Sequence, residues 1–135
     1  MYLPAACVLI PTGVPEQILA ISRRNDFTKW GIPGGKQDSG ESNLECAVRE
    51  IYEECRVWLD AAKLHPIYSG ACHGKDGKHY WVTTYLDPNP YLAEITPEEG
   101  FRIKVMYMDV LCDQEYSPFF EYNIKVRNAW KEFLT

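Results

Sequence analysis

A predicted helix that concentrates acidic residues beside an apolar stripe constrains the fold of this chain more than any other stretch. The segment GGKQDSGESNLECAVREIYEECRV, residues 34–57, contains six acidic residues. Ser42 and Glu45 fit the capping-box pattern S-x-x-E, which predicts that a helix begins after Ser42. Apolar residues then recur at helical spacing and predict the face that packs on a sheet. These residues are Leu44, Ala47, Val48, Ile51 and Cys55.

Three glutamates, Glu50, Glu53 and Glu54, fall on another side of this helix and are expected to point away from the sheet. Their close spacings should each destabilise an unliganded helix by about 0.2–0.5 kcal/mol. A solvated acidic face would explain an arbitrary run of glutamates. Here, however, a Gly-Gly loop and Glu41 precede the run. Because clustered carboxylates suit hard divalent cations, which take oxygen ligands, we expect a cation site on this face.

The segments around this helix predict strands. Residues 5–10 and 17–22 are short apolar runs joined by a loop, and residues 23–31 are expected to form a polar connection. An Asp-Gly pair between two β-rich runs indicates a hairpin around residues 75–78. Residues 101–110 alternate in polarity and predict a further strand.

A loop and a second helix complete the chain. Prolines and Gly100 predict a loop over residues 88–100, and residues 119–134 have the spacing of an amphipathic helix. The order strands, helix, strands, helix predicts an α/β fold in which helices cover a mixed sheet. The residues of the last helix predicted to pack are Phe120, Ile124, Trp130 and Phe133.

Length and composition set broad limits. A chain of 135 residues with 46% hydrophobic residues suits a single domain over residues 1–135 with a packed core. Five cysteines without a C-x-x-C pair predict reduced, partly buried thiols in a cytoplasmic protein. The formal charge of −5 argues against a protein that coats DNA or RNA, but a divalent metal can still attract phosphate. The sequence has no candidate membrane span, and its apolar start predicts a strand rather than a signal peptide.

The acidic segment resembles the signature of the Nudix hydrolases, GX5EX7REUXEEXGU, where U is apolar. It runs from Gly35 to Val57, and every defining position matches except the last glycine, which is Arg56 here. The upstream WGIPGG is similar to the usual lead-in of the family. The resemblance implies a Nudix-like α/β/α sandwich with a mixed β-sheet between helices. Arginine in the left-handed conformation that glycine would adopt at position 56 costs roughly 1 kcal/mol more.

The resemblance also implies the chemistry of the acidic helix. Nudix hydrolases cleave a phosphoanhydride in a nucleoside diphosphate linked to another group, with Mg²⁺ as cofactor and Mn²⁺ as a substitute. The implied metal ligands are Glu53 and Glu54, with the Gly35 carbonyl as a third. Glu50 is implied as a metal ligand or as the general base, and the sequence leaves both roles open. Arg49 is implied to orient a catalytic carboxylate.

Further site residues are predicted outside the helix. Glu41 is implied to brace the loop to the helix. Some family members take another acid from a later loop, and Glu98 and Glu99 are the candidates, with Glu99 assigned to the metal; a solvated turn explains them equally well. The candidates for substrate binding are Arg23, Arg24, Lys36 and Asn123. The three basic residues are predicted to contact phosphate, and the asparagine is predicted to hydrogen-bond a purine edge. The alternative is that all four are ordinary exposed residues.

The substrate is predicted from marks that the sequence lacks. The proline of ADP-ribose hydrolases, the tyrosine of dinucleoside-polyphosphate hydrolases and the accessory motifs of other branches are missing at their usual places. We therefore expect a small nucleotide as partner, namely (d)NTPs converted to (d)NMP and pyrophosphate. The alternatives are ADP-ribose or dinucleoside polyphosphates as substrates, and a nucleotide-sensing module without catalysis. We expect a monomer or homodimer with no polymeric nucleic acid and no membrane as partner.

Overall fold

The computed structural model describes residues 1–89 and 95–135. Residues 90–94, within the loop predicted at 88–100, lie outside the described part of the chain. The strands are β1 (Leu3–Leu9), β2 (Gln17–Arg23), β3 (Asp26–Gly31), β4 (Gly34–Lys36), β5 (His65–His73), β6 (His79–Leu86) and β7 (Ile103–Tyr107). The helices are α1 (Asn43–Cys55), α2 (Met108–Leu111) and α3 (Phe120–Phe133), and a 3₁₀ turn spans Ala61–Lys63.

The strands form two sheets. The first is mixed and has the order β4-β1-β6-β5, with β1 antiparallel to β4 and parallel to β6. The second has the order β3-β2-β7 and is antiparallel. The two sheets meet where the Leu19 amide donates a hydrogen bond to the Ile10 carbonyl at 2.9 Å. The predicted mixed sheet is therefore present, accompanied by a second, antiparallel sheet.

Alternation along β1 divides the core into two layers. Ala6, Val8 and Ile10 pack in the cluster formed with α1, whereas Cys7 and Leu9 pack in the cluster formed with α3. Successive side chains of a strand point to opposite faces, so one strand supplies both clusters. This arrangement places helices on both sides of the sheet and confirms the predicted α/β/α architecture.

Helix α1 begins at its predicted capping box and ends at Arg56. The Ser42 hydroxyl accepts a hydrogen bond from the Glu45 amide, and the Glu45 carboxylate accepts one from the Ser42 amide, so the predicted capping box is confirmed. At the other end Arg56 adopts the left-handed conformation, with φ at 59°, and its amide donates to the Tyr52 carbonyl. The Arg56 guanidinium also lies 5.6 Å from the Tyr52 ring centroid, a contact that offsets part of the strain.

Three expectations about segments need correction. The connection predicted at residues 23–31 contains the strand β3, whose polar residues are tolerated because it is an edge strand with one side open to solvent. The strand predicted to reach residue 110 ends at Tyr107, and α2 follows. Phe133 was expected to pack and is exposed near the end of α3, whereas Trp130, also predicted to pack, is buried together with Tyr122 and Val126.

Two further observations concern cysteines and membranes. All five cysteines are free, and Cys7, Cys46 and Cys55 are buried, in agreement with the predicted thiols. Among the described residues, the structure contains no helix whose length and hydropathy would allow it to cross a bilayer.

Candidate active site

Two glycines allow β4 to pair with β1 and to lie against helix α1. In the β1–β4 ladder Gly34 pairs with Cys7 and Gly35 pairs with Ala6. A methyl group on Gly34 would lie 2.3 Å from the Ala6 carbonyl oxygen, and one on Gly35 would lie 2.5 Å from Cδ of Glu50. Both positions therefore require glycine for space, and the requirement brings the backbone of β4 against the acidic face of α1.

Glu54 is buried under this strand, with a relative exposure of 8%. Its Oε1 accepts a hydrogen bond of 2.7 Å from the Gly34 amide. Burial, followed by the charge of Glu50, holds the pKa of Glu54 well above its ordinary value. The expectation that all three carboxylates point away from the sheets was wrong for Glu54, because β4 covers the helix at this position.

Glu50 and Glu53 lie progressively nearer to solvent. Glu50 is partly buried, and its burial raises the pKa of its carboxyl group. Glu53 is exposed. Both accept hydrogen bonds of 3.0 Å from Nη1 of Arg49. The three glutamates thus run from the interior to the surface along one helix.

Arg49 connects the helix to the preceding loop. Its Nε donates to Oε2 of Glu41 at 2.7 Å, and its Nη2 donates to the Lys36 carbonyl at 3.0 Å. The hydrogen bond from Arg49 lowers the pKa of Glu41 to about 2. Glu41 also accepts a hydrogen bond from the Asp38 amide. These contacts are those expected of an arginine that orients carboxylates and of a glutamate that braces the loop.

The donor atoms at this site fit a hard divalent cation. Among the described residues, no three histidine, cysteine or acidic side chains are arranged as a metal cage of their own. Mg²⁺ does not need such a cage, since it usually keeps several waters and takes further oxygens from substrate phosphate. Glu50 and Glu54 repel each other in a partly buried setting, and a cation relieves that repulsion. The Gly35 carbonyl belongs to the same stretch of β4.

The segment between residue 95 and β7 supplies an acid next to Glu54. The Glu98 amide donates to the Glu54 carbonyl at 3.2 Å, and the charge of Glu98 contributes to the raised pKa of Glu54. Glu99, which was predicted as the ligand, is exposed. Glu98 is therefore the acid that this loop brings to the helix, and it also pairs with Arg24 at 3.6 Å.

A cavity of about 510 Å³ opens beside these groups. Glu54, Gly35, Lys36 and Arg23 line it, while Arg24 turns toward Glu98 and the ring of a neighbouring phenylalanine. The predicted substrate-binding residues Arg23 and Lys36 thus meet the acidic helix in a cavity built from three separate segments, β2, β4 and α1.

Asn123 lies at the inner wall of this cavity and is 2% exposed, so the expectation of an exposed turn was wrong. Its Nδ2 donates to the Leu111 carbonyl at 2.8 Å and to Oγ of Ser117 at 3.1 Å. Phe119 lines the cavity beside it, with the Arg23 guanidinium 5.2 Å from its ring. Trp81 is exposed and meets Tyr2 edge to face.

The sequence interpretation missed the residues that the β5–β6 hairpin contributes. Lys75 and Asp76 line the cavity, and Tyr80 is buried with its hydroxyl donating to Asp76. Cys72 and Tyr122 also line the cavity. The Asp-Gly signal located this hairpin correctly, but nothing local indicated that its turn would face β4.

The family model described as NUDIX domain matches residues 1–119. "Putative 8-oxo-dGTP diphosphatase" of Bacillus subtilis (strain 168) is 46% identical over 54 residues, which cover 40% of this chain and 35% of that protein. "Putative 8-oxo-dGTP diphosphatase 3" of Mycobacterium tuberculosis is 27% identical over 115 residues, which cover 82% of this chain and 52% of that protein. The matches thus span about a third and about half of these relatives.

A solved structure shares the fold. The MutT protein from Methanosarcina mazei Go1 aligns with a TM-score of 0.72 at 20% identity, covering 99% of this chain and 96% of that one. The family model extends over far more than half of the chain and includes all the acidic residues of α1. The chain therefore belongs to the Nudix family.

Proposed function

We propose that this chain is a Mg²⁺-dependent pyrophosphohydrolase that cleaves a phosphoanhydride bond in nucleoside diphosphate derivatives. The observation that carries the proposal is the placement of Glu50, Glu54 and the Gly35 backbone at the edge of a cavity whose rim is basic. A phosphate chain at the carboxylates and a nucleoside in the cavity would fit this arrangement. Residues 1–135 would then act as one Nudix domain.

Glu53, Glu54 and the Gly35 carbonyl are the proposed metal ligands. A divalent ion held there supplies positive charge for the phosphates and lowers the pKa of water. Mn²⁺ is expected to substitute for Mg²⁺. Glu98 is a better candidate than Glu99 for an additional acid, because its backbone and charge act on Glu54.

Glu50 is the candidate that fits both a ligand and a general base. Its Oε1 accepts a hydrogen bond from Arg49, which leaves Oε2 to take a proton or to bind the cation. A general base works best when its pKa lies near the operating pH, and burial moves the pKa of Glu50 in that direction. The ion pair with Arg49 fixes the orientation of the carboxylate.

We propose (d)NTPs as the substrates, with (d)NMP and pyrophosphate as the products. Two relatives carry the name 8-oxo-dGTP diphosphatase, which favours a purine deoxynucleoside triphosphate. In this chain the cavity contains Phe119 and Asn123 at one wall, an aromatic ring and an amide suited to a base. The Nδ2 of Asn123 is already engaged, so its Oδ1 is the atom that would accept a hydrogen bond from the base.

The test is a substrate panel with Mg²⁺, comprising NTPs, dNTPs, 8-oxo-dGTP, ADP-ribose and dinucleoside polyphosphates, with products separated by chromatography. We expect release of pyrophosphate from triphosphates and near-complete loss in Glu53→Gln. Glu121→Gln, the same change at an exposed position of α3, is the matched control and should keep full activity. Turnover of ADP-ribose or dinucleoside polyphosphates alone would overturn the substrate, and tight binding without any product would favour the sensing module.

A further inference from the structure

The turn of the β5–β6 hairpin contacts β4 through the acidic side chain of Asp76. Oδ2 of Asp76 accepts hydrogen bonds from the Tyr80 hydroxyl at 2.6 Å and from Nζ of Lys36 at 3.2 Å. Its Oδ1 accepts one from the Lys78 amide at 3.0 Å. Asp76, Lys36 and Lys75 all line the cavity of the candidate active site. The turn therefore borders the cavity and contacts the strand that carries Gly35.

The turn is shaped to hold Asp76 in this position. A methyl group on Gly74 would lie 2.6 Å from Oδ1 of Asp76 and 2.7 Å from Cε2 of Tyr80, so only glycine fits there. Gly77 has φ at 79°, as an Asp-Gly turn requires. The hydrogen bond from Tyr80, followed by that from the Lys78 amide, lowers the pKa of Asp76 and keeps it charged. Asp76 is thus fixed by its own hairpin before it meets Lys36.

Lys36 belongs to the candidate active site through its backbone and to the hairpin through its side chain. Its carbonyl accepts the hydrogen bond from Arg49, and its Nζ lies 5.5 Å from the Tyr80 ring centroid. The Lys36–Asp76 pair is largely exposed, and exposed ion pairs contribute little to stability. Stability therefore does not account for the arrangement. An ammonium group has three donors, so Lys36 keeps donors for another anion while it remains bound to Asp76.

We propose that Asp76 is a positioning residue that holds the Lys36 ammonium at the cavity rim for a phosphate group of the substrate. Lys75, from the same turn, is a second phosphate-binding residue. Free lysine side chains lose much rotamer freedom when they bind a ligand, so a lysine that is already held binds more tightly. The phosphate identity of the ligand rests on the proposed function, whereas the coupling between Asp76 and Lys36 rests on the contacts themselves.

A different role of Asp76 would give the opposite result. If the negative charge of Asp76 mainly neutralised Lys36, removing that charge would strengthen the binding of an anion to Lys36. Asp76→Asn separates these effects because its Oδ1 can still accept from the Lys78 amide and its Nδ2 can donate to the Tyr80 hydroxyl oxygen, while the charge that holds Lys36 is removed. Tyr80→Phe is a second variant that leaves Asp76 in place and removes one of its fixed partners.

The experiment measures the affinity for inorganic pyrophosphate with Mg²⁺ by calorimetry, which requires no turnover and no knowledge of the base. We expect Asp76→Asn to weaken binding about three- to tenfold, as the loss of a charge-assisted contact does. Tyr80→Phe should weaken it less. The variant Lys36→Met should weaken pyrophosphate binding about as much as Asp76→Asn does. The double variant Lys36→Met, Asp76→Asn should bind no more weakly than Lys36→Met alone.

Asp113→Asn is the matched control, since Asp113 also accepts a hydrogen bond from the amide two residues later, in a turn that does not line the cavity. It should bind pyrophosphate as the unmodified protein does. The inference is overturned if Asp76→Asn binds equally or more tightly, if its effect adds fully to that of Lys36→Met, or if the unmodified protein does not bind pyrophosphate. Turnover of the substrate panel tests the proposed reaction separately. Coupled binding of pyrophosphate without any cleavage would support the positioning role of Asp76 and exclude the hydrolase activity.

Discussion

The carboxyl group of Glu50 lies over Gly35 so closely that no side chain can exist at position 35. A methyl group there would be 2.5 Å from Cδ and 2.6 and 2.7 Å from the two carboxylate oxygens. The requirement is one of space, because Gly35 is absent from the residues with positive φ. A glycine in β4 and a glutamate fifteen residues later thus occupy a single site.

We expect Gly35→Ala to displace the Glu50 carboxylate and to lower turnover of the best substrate about 10²-fold, as a misplacement of about 1 Å can do. Steady-state kinetics and a thermal melt by circular dichroism measure the effect on activity and fold. Combined with Glu50→Gln, the alanine should add little, because both changes remove the same group. Independent, fully additive losses would show that Gly35 acts without Glu50.

Arg49 makes contacts that lysine cannot reproduce, since its planar guanidinium binds Glu41, Glu50 and the Lys36 carbonyl at once. We expect Arg49→Lys to reduce kcat about 10- to 100-fold, the usual effect of removing a group that orients ligands. Stability should fall by about 1–3 kcal/mol, measured by urea unfolding. Arg127→Lys is the matched control, because its contact with Asp109 is a single ion pair that lysine can keep. Equal effects at both positions would contradict a specific role for Arg49.

The acid-rich helix itself could be predicted in detail from sequence. The capping box at Ser42 and the packing of Ala47 and Ile51 follow from local pattern, whereas the end of the helix at Arg56 was indicated only by the glycine that the Nudix signature has at this position. The hairpin at residues 75–78 was also correct, because Asp-Gly specifies its own turn. The Nudix signature then supplied the expected roles of residues that the pattern alone would have left as a charged surface.

Tertiary contacts decided what the sequence could not. Helical periodicity placed Glu54 with Glu50 and Glu53, but only the approach of β4 makes it buried. Asn123 is likewise buried by a tertiary contact, because its side chain donates to the Leu111 carbonyl, which precedes the helix that carries Asn123. Asp76 lies in a turn typical of exposed loops, and its contact with Lys36 joins residues 40 positions apart. No local pattern encodes these contacts.

Glu54→Gln should stabilise the metal-free protein while it abolishes activity. The glutamine can still accept the hydrogen bond from the Gly34 amide, but it removes a buried charge that Glu50 repels. We expect a gain of about 1 kcal/mol at pH 8, roughly 3–5 °C in Tm for a domain of this size. Because the folded-state pKa of Glu54 is raised, the charge of Glu54 destabilises the protein only as the pH rises above the pKa that this residue has in the unfolded chain. The gain should therefore shrink toward pH 4.5 in EDTA, and a destabilised variant at pH 8 would contradict the burial of the charge.

Glu41 should show the opposite dependence on pH. Arg49 lowers the folded-state pKa of Glu41 to about 2. The Glu41 carboxylate therefore stabilises the protein at pH values above its ordinary pKa near 4.5. That contribution should be lost as the pH falls from 4.5 toward 2. We expect Glu41→Gln to be less stable than the unmodified protein by about 1–2 kcal/mol at pH 7, with the two urea-unfolding curves converging toward pH 2. Glu121→Gln, on an exposed helix face, should show no such trend.

Divalent cations should stabilise the protein through the acidic helix rather than by general screening. Binding to the folded state alone raises stability by about 1.4 kcal/mol at a concentration ten times Kd, a few degrees in Tm. We expect 10 mM Mg²⁺ or Mn²⁺ to raise the Tm of the unmodified protein and EDTA to reverse the rise.

NaCl at the same ionic strength screens the repulsion among Glu50, Glu53 and Glu54 without bridging them, so it should give a smaller shift in Tm. Glu53→Gln should lose most of the Mg²⁺-specific part. Equal shifts in NaCl and Mg²⁺, or an unchanged Mg²⁺ response in this variant, would mean that the glutamates are only a screened acidic surface.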